Sequence, residues 1–214
     1  MRKEEILVVL GTAHRLREPG KESCDGRLKE CVYSRETATA VKARLEAKGY
    51  RVVIDYTPLD LPKTMQSPSA RQERQNELAM RVNFVNELCR QNGAVHVLYV
   101  SIHVNASSSD NQWHSACGWQ VCVGTKAGEQ SKHLAGFLFD AAQARWIRVR
   151  RPTQKQKYWA QSLYVLNNTQ CPAVLTENMF QDNKNDVDFL LSDEGRKVIV
   201  DLHVEGIIRY IESL

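Results

Sequence analysis

The chain has 214 residues, of which 43% are hydrophobic and 25% charged, a balance typical of a globular domain that buries its own core. This composition excludes a disordered chain, a collagen-like repeat and a coiled coil. The 29 Lys and Arg residues exceed the 25 Asp and Glu residues by four. The mild positive charge fits an anionic polymer as a partner, but it falls short of the basic character of nucleic-acid-binding domains.

The sequence lacks the patterns that mark a membrane helix, a signal peptide and a disulfide framework. No apolar run approaches the roughly 18 residues of a membrane helix, so we expect no membrane insertion. The first apolar run ends at Gly11 without the longer core and cleavage site of a signal peptide. We therefore expect synthesis in the cytoplasm, and we favour a monomer. The six cysteines form no Cys-x-x-Cys pair, which predicts free thiols.

Apolar patterning predicts strands that alternate with helices along the chain. In chain order, the predicted elements are a strand at residues 6–10, a helix at 33–48, a strand at 51–56, a helix at 76–92, strands at 95–104 and 118–123, a helix at 130–144, strands at 164–166 and 173–176, and helices at 186–191 and from 192 to about 211. Polar loops connect them, at 12–30, 57–72, 105–116 and 145–158. The alternation predicts a single α/β domain over residues 1–214, with a twisted, mostly parallel central sheet of about six strands and helices on both faces.

Ionisable side chains follow three of the predicted strands. His14 comes after the first strand, His103 lies at the end of the strand at 95–104, and Glu177 follows the strand at 173–176. Functional residues of open α/β sheets lie at the carboxyl ends of strands. We therefore expect these side chains to share one edge of the sheet. Glu30 ends the first long loop, from which it could return beside His14.

Two histidines and one glutamate are a ligand set of catalytic zinc sites, which leave the fourth position to water. His14, Glu30 and His103 supply such a set, and Glu177 then remains as a general base. The candidate ligands come from distant segments, so their spacing fits scattered polar residues equally well. Glu36 is a rival to Glu30 in the same region.

Several motifs resemble those of the zinc-dependent N-acetylmuramoyl-L-alanine amidases of the type-3 family. The matching segments are Leu-Lys-Glu at 28–30 before a helix, Glu-Ala-Lys-Gly at 46–49, Ser-Ile-His-Val-Asn at 101–105, Gly118 before an alternating strand, and Pro-Ala-Val-Leu-Thr-Glu at 172–177 followed by Phe180 and Asn183. One segment departs from the family: Gly-Thr-Ala-His-Arg-Leu at 11–16 stands where the family has Asp-Pro-Gly-His-Gly-Gly. We expect this change to alter the loop and to place the charge of Arg15 beside the metal.

The resemblance implies hydrolysis of the amide bond between N-acetylmuramic acid and L-alanine in peptidoglycan. It implies Zn²⁺ held by His14, Glu30 and His103, with Glu177 as the catalytic base. Such an enzyme acts on the cell wall after release or export, as a phage lysis enzyme does. Another zinc-dependent amide hydrolase or peptidase is the alternative. A wall-binding module that has lost its chemistry is disfavoured, because all four candidate residues are present.

Other polar residues have weaker assignments. The resemblance suggests that Asn105 contacts substrate, and His114 lies in the following loop beside Trp113, so both are candidate substrate-binding residues. A turn-forming Asn105 and a solvated His114 remain open. His203 falls on a predicted helix and is interpreted as a surface or interhelix residue. The basic segment at 145–157 predicts a solvated face that could also contact a wall polymer, and we expect no nucleic acid as a partner.

Overall fold

The computed structural model describes residues 3–214. Its strands are β1 (Leu7–Thr12), β2 (Arg51–Ile54), β3 (Val97–Asn105), β4 (Gln120–Gly124), β5 (Trp159–Gln161) and β6 (Ala173–Phe180). Its helices are α1 (Glu30–Glu46), α2 (Ala70–Asn92), α3 (Glu129–Gln143), α4 (Tyr164–Asn168), α5 (Lys184–Leu191) and α6 (Asp193–Glu212). Short 3-10 turns cover Lys3–Glu5, Lys63–Met65 and Ala94–His96.

The six strands form one sheet in the order β2-β1-β3-β6-β4-β5. β2, β1, β3 and β6 run parallel, β4 is antiparallel to β6, and β5 is parallel to β4. This confirms the predicted α/β class with a mostly parallel sheet of six strands. β1, β3 and β6 are adjacent, so their carboxyl ends meet at the centre of one edge.

Helices cover both faces of the sheet, as predicted. Leu98, Val100 and Ile102 of β3 belong to the core under α1, α3 and α6, whereas Val97 and Tyr99 belong to the core under α2 and α4. Successive strand residues face opposite sides. The next polar residues of β3 at positions 101 and 103 therefore lie on the α2 face.

One predicted strand is wrong. The segment at 164–166 forms the first residues of α4, and the sixth strand is β5, at residues 159–161, directly after the loop predicted at 145–158. A run of three apolar residues fits a single helical turn as well as a strand. β5 has three residues and pairs only at the edge of the sheet, so its sequence carries little periodicity.

Two helices begin earlier than their apolar patterns do. α1 begins at Glu30 and α2 at Ala70, where Ser69 accepts a hydrogen bond from the backbone N–H of Gln72 at 3.3 Å. The first turn of α2 is polar, so only its cap could have marked the start.

Two further sequence expectations concern cysteines and membranes. None of the six cysteines forms a disulfide, as predicted. Within residues 3–214, every helix is too short or too polar to cross a membrane.

Candidate metal centre and its cleft

His14, Glu30 and His103 converge at the carboxyl edge of the sheet. Their candidate ligand atoms all lie within 4.8 Å of one another. Glu30 Oε1 is 3.0 Å from His103 Nδ1, and Glu30 Oε2 is 3.5 Å from His14 Nε2. The two imidazoles meet edge to face with their centroids 5.2 Å apart. Three separate segments of the chain thus bring three candidate metal-ligand atoms into one cluster.

The loop after β1 has a defined path that directs His14 to this point. His14 has a φ of 41°, in the left-handed region that side chains other than glycine seldom adopt. The preceding Ala13 donates its N–H to Ser34 Oγ at 2.8 Å, and Ser34 donates in turn to the carbonyl of Ile102 at 2.6 Å. Hydrogen bonds to α1 and β3 therefore hold the backbone in an unfavourable conformation, as is common at functional sites.

Glu30 is a buried carboxylate with one unsatisfied oxygen. Its Oε1 accepts the backbone N–H of Val104 at 3.1 Å, but its Oε2 has no hydrogen-bond partner. Burial opposes ionisation, but the electrostatic interaction with His14, the hydrogen bond from His103 and the charge of Lys21, with Nζ 3.6 Å from Oε2, together lower the pKa of Glu30 to about 2. Glu30 is therefore ionised at neutral pH.

The protonation states and the unsatisfied oxygen fit a bound metal ion. Burial lowers the pKa of His14 to about 3, so its imidazole is neutral. Neutral imidazoles and ionised carboxylates are the forms that ligate metals. A buried carboxylate oxygen without a partner is rare in proteins, and an ion is one of its ordinary explanations.

Glu177 lies beside this centre on β6. Its Cα pairs with that of His103 across the β3–β6 ladder. Its Oε2 is buried without a hydrogen-bond partner. Burial and the negative charge of Glu30 raise the pKa of Glu177 to about 8. A carboxyl group with a raised pKa can both accept and return a proton near neutral pH.

A cleft of about 390 Å³ opens over the three side chains His14, His103 and Glu177. One wall is formed by α2 and the other by the segment at 162–165. Its remaining lining residues are Thr12, Lys21, Arg74, Glu77, Leu78, Arg81, Ser101, Ser162, Leu163, Tyr164, Val165 and Leu175. The cleft is thus apolar along one side and charged along the other.

A buried ion-pair network supports the charged wall. Arg81 donates to Asp55 at 2.7 Å and to Glu77 at 3.0 Å, and all three side chains are almost wholly buried. Arg15 pairs with Glu18, Glu73 and Glu77. The expectation that Arg15 adds its charge beside the metal is therefore wrong, because carboxylates of the neighbouring loop and of α2 hold it.

The two candidate substrate-binding residues lie outside the cleft lining. Asn105 Oδ1 accepts the N–H of Ala106 at 2.9 Å, and His114 Nε2 lies 2.8 Å from Asp110 Oδ1. Asn105 is the last residue of β3, and His114 lies in the loop that follows this strand. The rival ligand Glu36 points away and pairs with Arg196 at 2.6 Å.

Sequence reasoning did not single out several residues at the site. Lys21 sits in a polar loop without a motif, and Arg81 and Glu77 lie on the polar positions of a helix. Ser101 was part of the Ser-Ile-His-Val-Asn motif, but its contact with His103 Nε2 at 3.1 Å was not predicted. The sequence did offer a signal for this contact. Ser101 and His103 are two residues apart on a predicted strand, and this spacing places both side chains on one face of the sheet.

The fold and the site define an α/β protein with a His–Glu–His centre of the kind that holds a catalytic metal in hydrolases. The family model of the N-acetylmuramoyl-L-alanine amidases matches residues 8–209. The chain belongs to this family, which confirms the resemblance found in the sequence.

Individual relatives agree with this assignment. The chain is 31% identical over 118 residues to an endolysin of Bacillus phage SPP1, an alignment that covers 55% of this chain and 41% of the endolysin. The chain therefore spans less than half of that relative's length. Among solved structures, the amidase Ami1 of Mycobacterium smegmatis superposes with a TM-score of 0.79 at 21% identity, with 100% of both chains covered. The CwlD amidase of Clostridioides difficile, solved in complex with the GerS lipoprotein, gives 0.78 at 20%, with 98% of this chain and 100% of that chain covered. The two structures share the fold.

Proposed function

We propose that this protein hydrolyses the amide bond between the lactyl group of N-acetylmuramic acid and L-alanine in peptidoglycan. One observation carries the proposal: a single cleft brings the cluster of His14, Glu30 and His103 together with the buried carboxyl group of Glu177. Membership of the amidase family supports the choice of substrate.

His14, Glu30 and His103 would hold one zinc ion, in keeping with their donor types and with the unsatisfied Oε2 of Glu30. When bound, zinc supplies a water molecule of lowered pKa and polarises the scissile carbonyl. The ionised Glu30 offsets part of the metal's charge, and its hydrogen bond from the N–H of Val104 fixes the carboxylate plane.

Glu177 acts as the general base and then as the general acid. Its carboxylate takes a proton from the attacking water as the water oxygen bonds to the carbonyl carbon. The same proton then passes to the nitrogen of L-alanine as the C–N bond breaks. The products are the free lactyl carboxylate and a peptide with a new amino terminus.

Substrate contacts extend beyond the cleft in this proposal. A peptidoglycan strand is too large for a cleft of about 390 Å³ to enclose, so Asn105, at the end of β3, and His114, in the loop that follows, would contact the parts outside the cleft. The catalytic unit would be the domain over residues 1–214, acting as a monomer on the cell wall after release or export.

The test measures zinc content and new amino termini with the same protein. The wild type should bind about one zinc per chain and release peptides with free L-alanine amino termini from purified peptidoglycan. Glu177→Gln should keep the zinc and lose the hydrolysis, whereas Glu212→Gln, at an exposed position near the end of α6, should behave as the wild type. Zinc binding without L-alanine termini would favour another zinc hydrolase. Absence of zinc from the wild type would reject the site.

A further inference from the structure

Trp146, Arg148 and Arg150 form a basic surface that no step of the proposed reaction uses. Trp146 is 96% exposed, in the turn after α3. Its φ is 59°, in the left-handed region that side chains other than glycine seldom adopt. The neighbouring Arg145 pairs with Glu205 at 2.8 Å, whereas the two arginines of the basic surface form no ion pair within residues 3–214. A fully exposed tryptophan on a strained turn beside unpaired arginines indicates a place of interaction.

The backbone of the basic surface lies next to β4, at the edge of the sheet that carries the metal centre. Trp119 donates its N–H to the carbonyl of Arg148 at 2.8 Å, and Arg150 donates its N–H to the carbonyl of Trp119 at 2.7 Å. The next residue, Gln120, pairs with Glu177 across the β4–β6 ladder. Neighbouring strands lie about 4.8 Å apart, so the backbone of the basic surface is roughly 10 Å from that of the candidate general base.

Arg148 and Arg150 also point to the face of the sheet on which the cleft opens. Val149, between them, packs against the core under α1, α3 and α6, so its two neighbours face the opposite side. That side is the face of Glu177. The Cγ atoms of the two arginines lie side by side over Gly118, at 3.1 and 3.4 Å from the place that a Cβ of this glycine would take. The two guanidinium groups therefore belong to one surface.

The contacts of the two arginines leave their charge available to a partner. The guanidinium of Arg150 lies over the ring of Phe180, 4.7 Å from its centroid. The nearby carboxylate of Asp186 uses Oδ2 to accept the N–H groups of Gly118 at 2.9 Å and of Phe180 at 3.0 Å. Guanidinium groups present a planar fork of donors that matches a carboxylate. The basic surface therefore suits a partner that carries carboxylates.

We propose that the basic surface binds the peptide-free glycan strand that the reaction leaves behind. Each hydrolysis exchanges an amide bond for a lactyl carboxylate, so the strand gains negative charge at every muramyl residue that has been cut. Arg148 and Arg150 pair with such a carboxylate, and the ring of Trp146 packs against a neighbouring sugar. Because the surface shares its sheet edge with the metal centre, a strand held there keeps its uncut residues close to Glu177. The inference rests on the proposed function.

The experiment measures binding of peptide-free glycan by calorimetry. The probe is glycan stripped of its peptides by an unrelated amidase, beside the same strands with their carboxylates reduced to alcohols. The Kd for the carboxylate form should rise about 10-fold or more in the double variant Arg148→Gln/Arg150→Gln, and about threefold or more in Trp146→Ala. The reduced strands should bind the wild type as weakly as the carboxylate form binds the double variant. Arg90→Gln and Phe84→Ala, at exposed positions of α2, are the controls and should match the wild type.

Three results would overturn the inference: wild-type affinity in both the double variant and Trp146→Ala, equal binding of reduced and unreduced strands, or binding of poly(glycerol phosphate) as tight as that of the glycan. If the double variant does not fold, the exposed single variant Arg148→Gln and the reduced strands still decide. The binding assay involves no hydrolysis. A protein that binds the glycan as expected and releases no L-alanine termini from intact peptidoglycan would therefore refute the proposed reaction and leave the glycan site in place.

Discussion

The hydroxyl group of Tyr99 fills the space beside the Cα of Gly11 that a side chain would need. A Cβ built on Gly11 would lie 2.6 Å from Cζ of Tyr99, closer than packed carbon atoms approach. β1 and β3 are neighbours in the sheet. A glycine on one strand is thus matched to a buried tyrosine on the next.

Gly11→Ala should therefore destabilise the protein by about 1–3 kcal/mol, since neither the strand nor the buried ring can move without disturbing the core. The free energy of unfolding in urea measures this. Gly136→Ala is the control, because nothing lies within 4 Å of a Cβ at this position of α3, and alanine there should stabilise the helix. Equal stability of Gly11→Ala and the wild type would contradict the packing described.

Zinc should stabilise the folded protein through His14, Glu30 and His103. A ligand that binds only the folded state adds about 2.7 kcal/mol at 100 times its Kd, so the Tm of chelator-treated protein should rise when Zn²⁺ is added. His14→Ala should abolish the rise. His133→Ala, at an exposed position on α3, should retain it. A Zn²⁺-dependent Tm in His14→Ala would remove His14 from the ligand set.

Arg81→Met should cost about 3–5 kcal/mol of folding free energy, because it leaves the buried carboxylate of Asp55 without its cation and leaves Glu77 with only the longer contact to Arg15. Arg90→Met, on the same helix, interrupts a fully exposed pair with Glu87 and should change stability little. Urea unfolding of both variants provides the measurement. Similar losses of unfolding free energy in Arg81→Met and Arg90→Met would show that burial of the ion pair does not determine the cost of removing its arginine.

His203 should make stability depend on pH. It is fully buried on α6, with Nδ1 donating to the carbonyl of Ile199 at 2.7 Å and Nε2 accepting from Thr176 Oγ1 at 2.9 Å. Burial lowers the pKa of His203 from its usual 6.5 to about 4. The unfolded chain therefore takes up this proton first, and about 3 kcal/mol present at pH 7 is lost between pH 6.5 and 4.

His203→Gln should remove this part of the pH dependence, as seen from urea unfolding of metal-free protein at several pH values. His14 also has a lowered pKa and contributes with the same sign in both proteins, so the difference between them isolates His203. His133→Gln should keep the wild-type slope. A His203→Gln slope equal to that of the wild type would show that His203 is not held neutral by the fold.

Sequence patterns were sufficient for the parts of the fold that rest on local periodicity. The apolar strand ending at Asn105 and the helices α3 and α6 matched their predictions closely, because each buries one regular face. The placement of His14 and His103 at strand ends followed from the rule for open α/β sheets. The strand predicted at 164–166 was wrong, and the interpretation of His203 as a surface or interhelix residue missed its full burial against β6, because short runs and single helical positions carry too little pattern.

The sequence by itself determined the α/β class, the family and the candidate ligand set. The alternation of strands and helices along the chain, the residues at the strand ends and the motif residues are all local properties of the sequence. Only the tertiary structure decided which charged and polar side chains pair with one another. Arg15 turns to Glu18, Glu73 and Glu77 rather than to the metal centre, and Tyr99 reaches Asp55, 44 residues away. Such contacts depend on which buried groups can satisfy one another once the sheet has formed, and no spacing along the chain encodes that.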